Sequence, residues 1–188
     1  MSLKAVFELG LCNGWLFMIV FPLQWLAVVV LPGRFVARTG HPADLRQGRG
    51  ARIMSWLTQF FWIGATLYSI VLPLRLGTPW FTGGLLIFAG GLMMLVFATL
   101  SVARAEAGEP FTGGIYRFSR HPMYLSMILV YTAVSVAAAS WLFSVITLVT
   151  VFLQRFQAIQ EERYCLERFG SSYRQYLTRT PRWLGVPK

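Results

Sequence analysis

The sequence predicts an all-α integral membrane protein, with five transmembrane helices followed by a cytoplasmic amphipathic helical tail. Three observations carry this expectation. Of 188 residues, 56% are hydrophobic and only 13% charged, with a mean hydropathy of +0.57; soluble chains carry about 25% charged residues. The apolar residues are gathered into runs longer than the core helices of soluble proteins need. The net charge of +10 is concentrated between and after those runs. No nucleic-acid motif accompanies it, so a membrane-surface and topology role is expected, with membrane lipids as partners and no nucleic acid.

The first run extends from Phe7 to about Leu31. Only Lys4 precedes it among basic residues, no small-residue cleavage site follows, and it exceeds the apolar core of a signal peptide, so a retained helix is expected, with Pro22 as a kink. A basic loop follows, with Arg34, Arg38, Arg46, Arg49 and Arg52 against Asp44. The second run is Met54 to Leu74 and the third Trp80 to Val102, joined by the short turn Arg75–Pro79 into an antiparallel pair. Gly83, Gly84, Gly90 and Gly91 offer close helix approach within the third.

A polar connection, 104–121, leads to the fourth run, Pro122 to Ala139, and then almost without a loop to the fifth, Ser140 to Phe156. At about 1.5 Å per residue the longer runs cross a hydrocarbon core of about 30 Å; the fourth is short, so its start is expected at membrane depth. The tail, Gln157 to Lys188, spaces Leu166, Phe169, Tyr173, Tyr176 and Leu177 at helical intervals, as a membrane-surface helix or a lid would. With five spans all the arginine-rich segments fall on one side. The N-terminus is therefore expected outside and the C-terminus and polar motifs in the cytoplasm. Residues 1–188 form one domain: a scaffold over 1–103 and a ligand-binding part over 104–188.

Two stretches hold most of the chemistry. The first is Gly113–Tyr124, a basic, turn-rich segment between apolar runs. Pro122 suits the first turn of a helix, Ser119 is a candidate cap, and Arg120 and His121 then stand at a helix start that favours anions. Gly113 and Gly114 permit close backbone approach to a ligand. The second is Glu161-Glu162, an acidic pair where a membrane span is normally flanked by basic residues. A hairpin of the fourth and fifth runs would set this pair beside Arg120. An anion site next to a cation site suits a zwitterionic ligand. A lipid-headgroup anchor and solvated ion pairs are the plainer alternatives.

In these residues the chain resembles the isoprenylcysteine carboxyl methyltransferase family, which is related to phospholipid N-methyltransferases. The resemblance rests on Gly114-Ile115-Tyr116, Arg120-His121-Pro122-Met123-Tyr124, Glu161-Glu162, the run Phe169 to Tyr176, and Arg182, and covers the chain from about Pro110 onward. It departs at Gly108–Phe111 and at Gln157, where the family often has a His-x-Leu-Val pattern and an arginine. The resemblance implies a five-span enzyme that uses S-adenosyl-L-methionine in a cytoplasm-facing pocket and takes a lipophilic methyl acceptor from the bilayer. It places the cofactor's carboxylate near His121 and Pro122, its amino group near Glu161 and Glu162, and its adenosine near Pro110, Phe111, Gly114, Ile115 and Tyr116. Arg120, Glu162 and Tyr124 fall at the methyl-transfer site. Carboxyl O-methylation of an isoprenylcysteine-like acceptor is the expected reaction. Phospholipid N-methylation and small-thiol S-methylation are alternatives. More distant readings are a sterol-reductase-like NADPH enzyme, partly echoed by Glu162-Arg163-Tyr164-Cys165, and a non-catalytic scaffold.

Other chemistries find little support. No glycine-rich dinucleotide fingerprint is present. The two histidines and two cysteines form no metal-ligand spacing, so no metal is expected. His41-Pro42 lies in the basic loop and reads as a turn. Cys12 and Cys165 fall in different environments and are not expected to pair.

Overall fold

The computed structural model describes residues 7–30, 48–104 and 109–187. Most of the basic loop, with His41-Pro42, and Gly108 lie outside these. The regular structure among the described residues is helical, apart from one isolated antiparallel bridge between Asn13 and Pro73. The helices are α1 (Trp15–Met18), α2 (Val20–Val30), α3 (Arg49–Ile70), α4 (Pro79–Arg104), α5 (Pro122–Ala137) and α6 (Trp141–Arg179), with a 3-10 turn at Gly114–Arg117.

The first run is not helical from its start. Residues 7–14 instead lie along the chain that follows α3: Glu8 N–H donates to Val71 O at 2.8 Å, Gly14 N–H to Leu72 O at 2.8 Å, and Leu74 N–H to Cys12 O at 3.0 Å. Asn13 fixes the junction, its side-chain amide donating to Glu8 O at 2.6 Å and Ile70 O at 2.7 Å. A buried asparagine that satisfies two carbonyls this way competes with helix propagation. The expected Pro22 kink appears as the interruption at Ile19 between α1 and α2. Pro22 has no N–H to offer the carbonyl four residues back, that of Met18, where α1 ends.

α3 begins earlier than its apolar run, at Arg49, and ends earlier, at Ile70. α4 and α5 fall within two residues of the expected bounds. α6 does not stop where the apolar run ends at Phe156. It continues through the charged tail to Phe169 and breaks at Gly170, whose φ of 55° and ψ of −121° suit glycine, before resuming to Arg179. The tail helix is thus a continuation of the fifth run.

α4 and α6 are long and apolar enough to cross a membrane, while Pro122–Ala137 is a shorter apolar helix. Their outward faces are apolar: Leu86 and Phe97 on α4, Leu148 and Phe152 on α6, and Trp56 and Phe60 on α3 are all exposed. Lipid covers such surface without cost, whereas water does not. Threonine hydroxyls inside these helices bond back to their own backbone, as in Thr99 to Leu95 O at 2.8 Å and Thr147 to Phe143 O at 2.8 Å, which satisfies donors that hydrocarbon could not.

The closest packing is α4 against α5. A Cβ built at Gly84 would stand 2.5 Å from Ala137 Cβ and 2.7 Å from Ala133 O, and one at Gly91 would stand 3.0 Å from Leu129 Cβ. Gly90 has open space there and Gly83 an ordinary contact. Of the four expected glycines, Gly84 and Gly91 make the approach. One core, with Phe17, Met18, Tyr131, Val134 and Phe143, fills the end near the α5–α6 turn. A smaller one, with Ala98, Val102 and Tyr116, packs the 3-10 turn against α4 at the opposite end.

Gly84→Ala is expected to destabilise the detergent-solubilised protein by about 1–3 kcal/mol through overpacking. Gly90→Ala should be neutral or stabilising by up to about 1 kcal/mol. Thermal unfolding of the two variants separates these effects, and equal midpoints would show that the α4–α5 contact is not limiting.

Candidate functional site

Two connections made by the fold place the polar residues at one end of the bundle. The α5–α6 hairpin turns through Ala138–Ser140, where Ala139 takes a φ of 49° and Ser140 Oγ accepts the Phe143 N–H at 3.2 Å as the cap of α6. The antiparallel return brings residue 121 level with residues 161 and 162. At the same end the 3-10 turn is anchored on α4 through Ile115 N–H, which donates to Ser101 Oγ at 3.4 Å. Gly114, with a φ of 59°, has Ser101 Oγ where a Cβ would be. Its freedom therefore serves contact between the turn and α4, while Gly113 faces open space.

Pro122 occupies the first turn of α5, as expected. Ser119 is not its cap. The cap position is His121, with no side-chain cap bond; Ser119 Oγ instead accepts the His121 N–H at 3.1 Å and donates to Arg182 O at 3.4 Å. The backbone of His121, φ −131° and ψ 57°, turns Ser119 toward the C-terminal segment, and two residues before the cap position it does not reach the helix N–H groups.

Glu162 lies at the centre. It is 6% exposed. Its Oε1 is 3.1 Å from Arg120 Nη1 and 3.2 Å from His121 Nε2, and it accepts from Arg182 Nε at 3.0 Å. Its Oε2 accepts from Arg182 Nη2 at 2.7 Å. Burial alone would raise the Glu162 carboxyl, but the hydrogen bonds from His121 and Arg182 and the charges of Arg120 and Arg182 outweigh it and hold it at about 2. Burial would lower His121, yet hydrogen bonds to Glu161 and Glu162 raise it above its ordinary value. Glu161 meets His121 Nδ1 at 3.4 Å and keeps its side chain 41% exposed. The two acids thus differ: Glu162 is engaged on both oxygens, and Glu161 is open.

Tyr124 stacks on His121, with ring centroids 5.3 Å apart and planes 4° from parallel. Tyr116 is buried, with Phe111 tilted against it at 6.1 Å, and its carbonyl accepts from Tyr176 OH at 2.6 Å. Pro110 is half-buried at the entrance to this turn. Burial, followed by the charge of Glu161, pushes Cys165 up to about 12, so its thiol is neutral. Among the described residues no group of His, Cys, Asp and Glu could hold a metal ion.

The sequence reading brought Arg120, His121, Tyr124, Glu161 and Glu162 together as the structure does. It did not pair Arg182 with Glu162, nor Tyr176 with the Tyr116 carbonyl. The signal was available in the arginine that follows Pro181, but nothing in its spacing indicated which acid it meets.

A sequence model described as phospholipid methyltransferase matches residues 76–172, from the turn before α4 past the Gly170 break. The chain belongs to the phospholipid methyltransferase family. This places it among the membrane methyltransferases of the isoprenylcysteine carboxyl methyltransferase type. The family match includes Arg120, His121, Glu161 and Glu162 but stops short of Tyr176 and Arg182. Methanethiol S-methyltransferase 1 of Bradyrhizobium diazoefficiens is 30% identical over 140 residues, which cover 65% of this chain and 48% of the relative. This phospholipid methyltransferase family member thus spans about half the length of that relative.

The ion cluster fixes a pH window. Glu162 has a lowered folded value, so its contribution to stability is complete above its ordinary value of 4.5 and is lost as pH falls through about 2. His121 is raised, so its contribution is complete below its ordinary value of 6.5 and is lost as pH rises through its folded value. Thermal midpoints measured across pH should fall on both sides. Glu162→Gln should flatten the acid side, which carries on the order of 3 kcal/mol; an unchanged acid side in that variant would assign it to other carboxylates.

Proposed function

We propose that the protein is an integral-membrane methyltransferase that uses S-adenosyl-L-methionine and methylates a lipophilic acceptor reaching it from the bilayer. The observation that carries this reading is the pairing, at the start of α5, of a buried cationic cluster with an open acid. Arg120 lies against Glu162 with a buried Nε that has no hydrogen-bond partner among the described residues, and Glu161 stands beside His121, 41% exposed. A zwitterionic amino acid group fits that donor set, its carboxylate toward Arg120 and the start of α5 and its ammonium toward Glu161. Both oxygens of Glu162 are taken, so Glu161 is the better partner for the ammonium.

When bound, the cofactor would supply a methyl group on a positively charged sulfur. The chain's own part is alignment and exclusion of water. Arg120 would orient an anionic acceptor, Tyr124 would pack His121 in place, and Pro110, Phe111 and the Gly114–Tyr116 backbone would flank the adenosine. Tyr173, Tyr176 and the C-terminal segment would cover the site. The leading acceptor is the carboxylate of an isoprenylcysteine-like molecule. Thiol S-methylation is the second reading, favoured by the name of the Bradyrhizobium relative, and phospholipid N-methylation is supported by the family description.

Labelled S-adenosylmethionine should bind the purified protein, and Glu161→Gln should weaken binding about 10–100-fold, as loss of a charged hydrogen-bond partner does. Product analysis with farnesylcysteine, phosphatidylethanolamine and an alkanethiol names the acceptor class. No binding, or binding of NADPH instead, would overturn the reading.

The arginine distribution and the gathering of the site at one end of the bundle support five spans, with the N-terminus outside and the site cytoplasmic. Cys12 is exposed at the end opposite Cys165. A membrane-impermeant maleimide should label Cys12 in intact cells. Labelling only after permeabilisation would reverse the orientation.

A further inference from the structure

The segment after α6, residues 180–185, is stitched to the chain that precedes α5. Arg120 N–H donates to Pro181 O at 3.1 Å, Gly185 N–H to Phe118 O at 3.1 Å, and Ser119 Oγ to Arg182 O at 3.4 Å. Held there, Arg182 meets Glu162 as a two-pronged fork, Nε to Oε1 at 3.0 Å and Nη2 to Oε2 at 2.7 Å. A planar guanidinium matches a carboxylate in this way and an ammonium does not.

We propose that Arg182 is a positioning residue: by occupying Glu162 with both prongs, it leaves Arg120 with a single bond to that carboxylate, and so keeps the Arg120 guanidinium available to a carboxylate or phosphate group of the molecule bound at the site. The identity of that molecule rests on the methyltransferase reading above.

The charges and the bonding point the same way. Two arginines face the Glu162 carboxylate, and without Arg182 only Arg120 remains of them. Arg120 reaches Glu162 through Nη1 at 3.1 Å, and its Nε is buried with no hydrogen-bond partner among the described residues. Leaving a buried carboxylate with a bare oxygen is costly. If Arg182 is removed, Arg120 is the one neighbour at Glu162 that can form a fork, and its Nε would turn onto the acid. A cation drawn into such a pair no longer serves a ligand anion. Among the groups around Glu162, His121 cannot take over, because its ring offers a single nitrogen to that carboxylate while the other faces Glu161.

The test reads the arginine Nε–H signals of the full-length protein in detergent by 15N NMR, assigned with Arg120→Lys and Arg182→Lys. In the unmodified protein the Arg182 Nε–H should be shifted downfield by its carboxylate partner, and that of Arg120 should not. In Arg182→Gln the Arg120 Nε–H should acquire the downfield position. S-adenosylmethionine affinity should fall about 10–100-fold, with Arg182→Lys between the two. Arg182→Lys keeps the charge, so it supplies the comparison if Arg182→Gln does not fold. An Arg120 signal that stays in place in the folded variants, or an affinity equal to that of the unmodified protein, overturns the assignment. Unmodified protein that binds no S-adenosylmethionine defeats the preceding reading alone, and the NMR comparison still decides the role of Arg182.

Discussion

The arrangement depends on one buried charge. A carboxylate placed at the depth of Glu162 is stable only where several donors replace its water. Here they come from segments far apart in sequence: Arg120 and His121 from the start of α5, and Arg182 from beyond the end of α6. The demand for donors therefore ties the hairpin, the connector and the C-terminal segment into one folded unit. The tyrosines extend that unit, because the Tyr176 hydroxyl closes on the Tyr116 carbonyl and the 3-10 turn rests on Ser101 of α4.

Helix approach sets the scale on which this can happen. α4 and α5 come together because Gly84 and Gly91 present no side chain to Ala133, Ala137 and Leu129. With hydrocarbon around the outer faces, apolar burial gives little reason for helices to associate, and close contact of small residues takes its place. The same contact brings the α4 end bearing Ser101 next to the turn that leads to Arg120. Packing within the apolar part thus reaches the polar end through the hydrogen bond between Ser101 and Ile115.

Much of this was legible in the sequence, because run length and turn chemistry are local. Pro122 opens a helix, and the absence of a loop near Ala139 forces the hairpin that sets residue 120 beside 162. What was not legible depends on distant partners. Asn13 draws residues 7–14 out of the first helix because carbonyls near Ile70 and Glu8 are within its reach. Ser119 turns to Arg182 instead of capping α5, and Gly114 is needed for Ser101, a residue on another helix. The distinction between the two acids also escaped the sequence. Adjacent glutamates look equivalent in a string, but consecutive helix positions differ in direction by about 100°, enough to bury one and leave its neighbour open.

From Trp141 to Phe169 the last helix has no irregular residue, and its first break is Gly170. Over about 40 Å, then, the apolar stretch and the acidic pair form a single stiff rod. No joint lies between the apolar stretch and the carboxylates, so the direction of the rod sets where Glu161 and Glu162 stand. The segment that grips residues 118–121 lies beyond Gly170, on the far side of the one break in the helix.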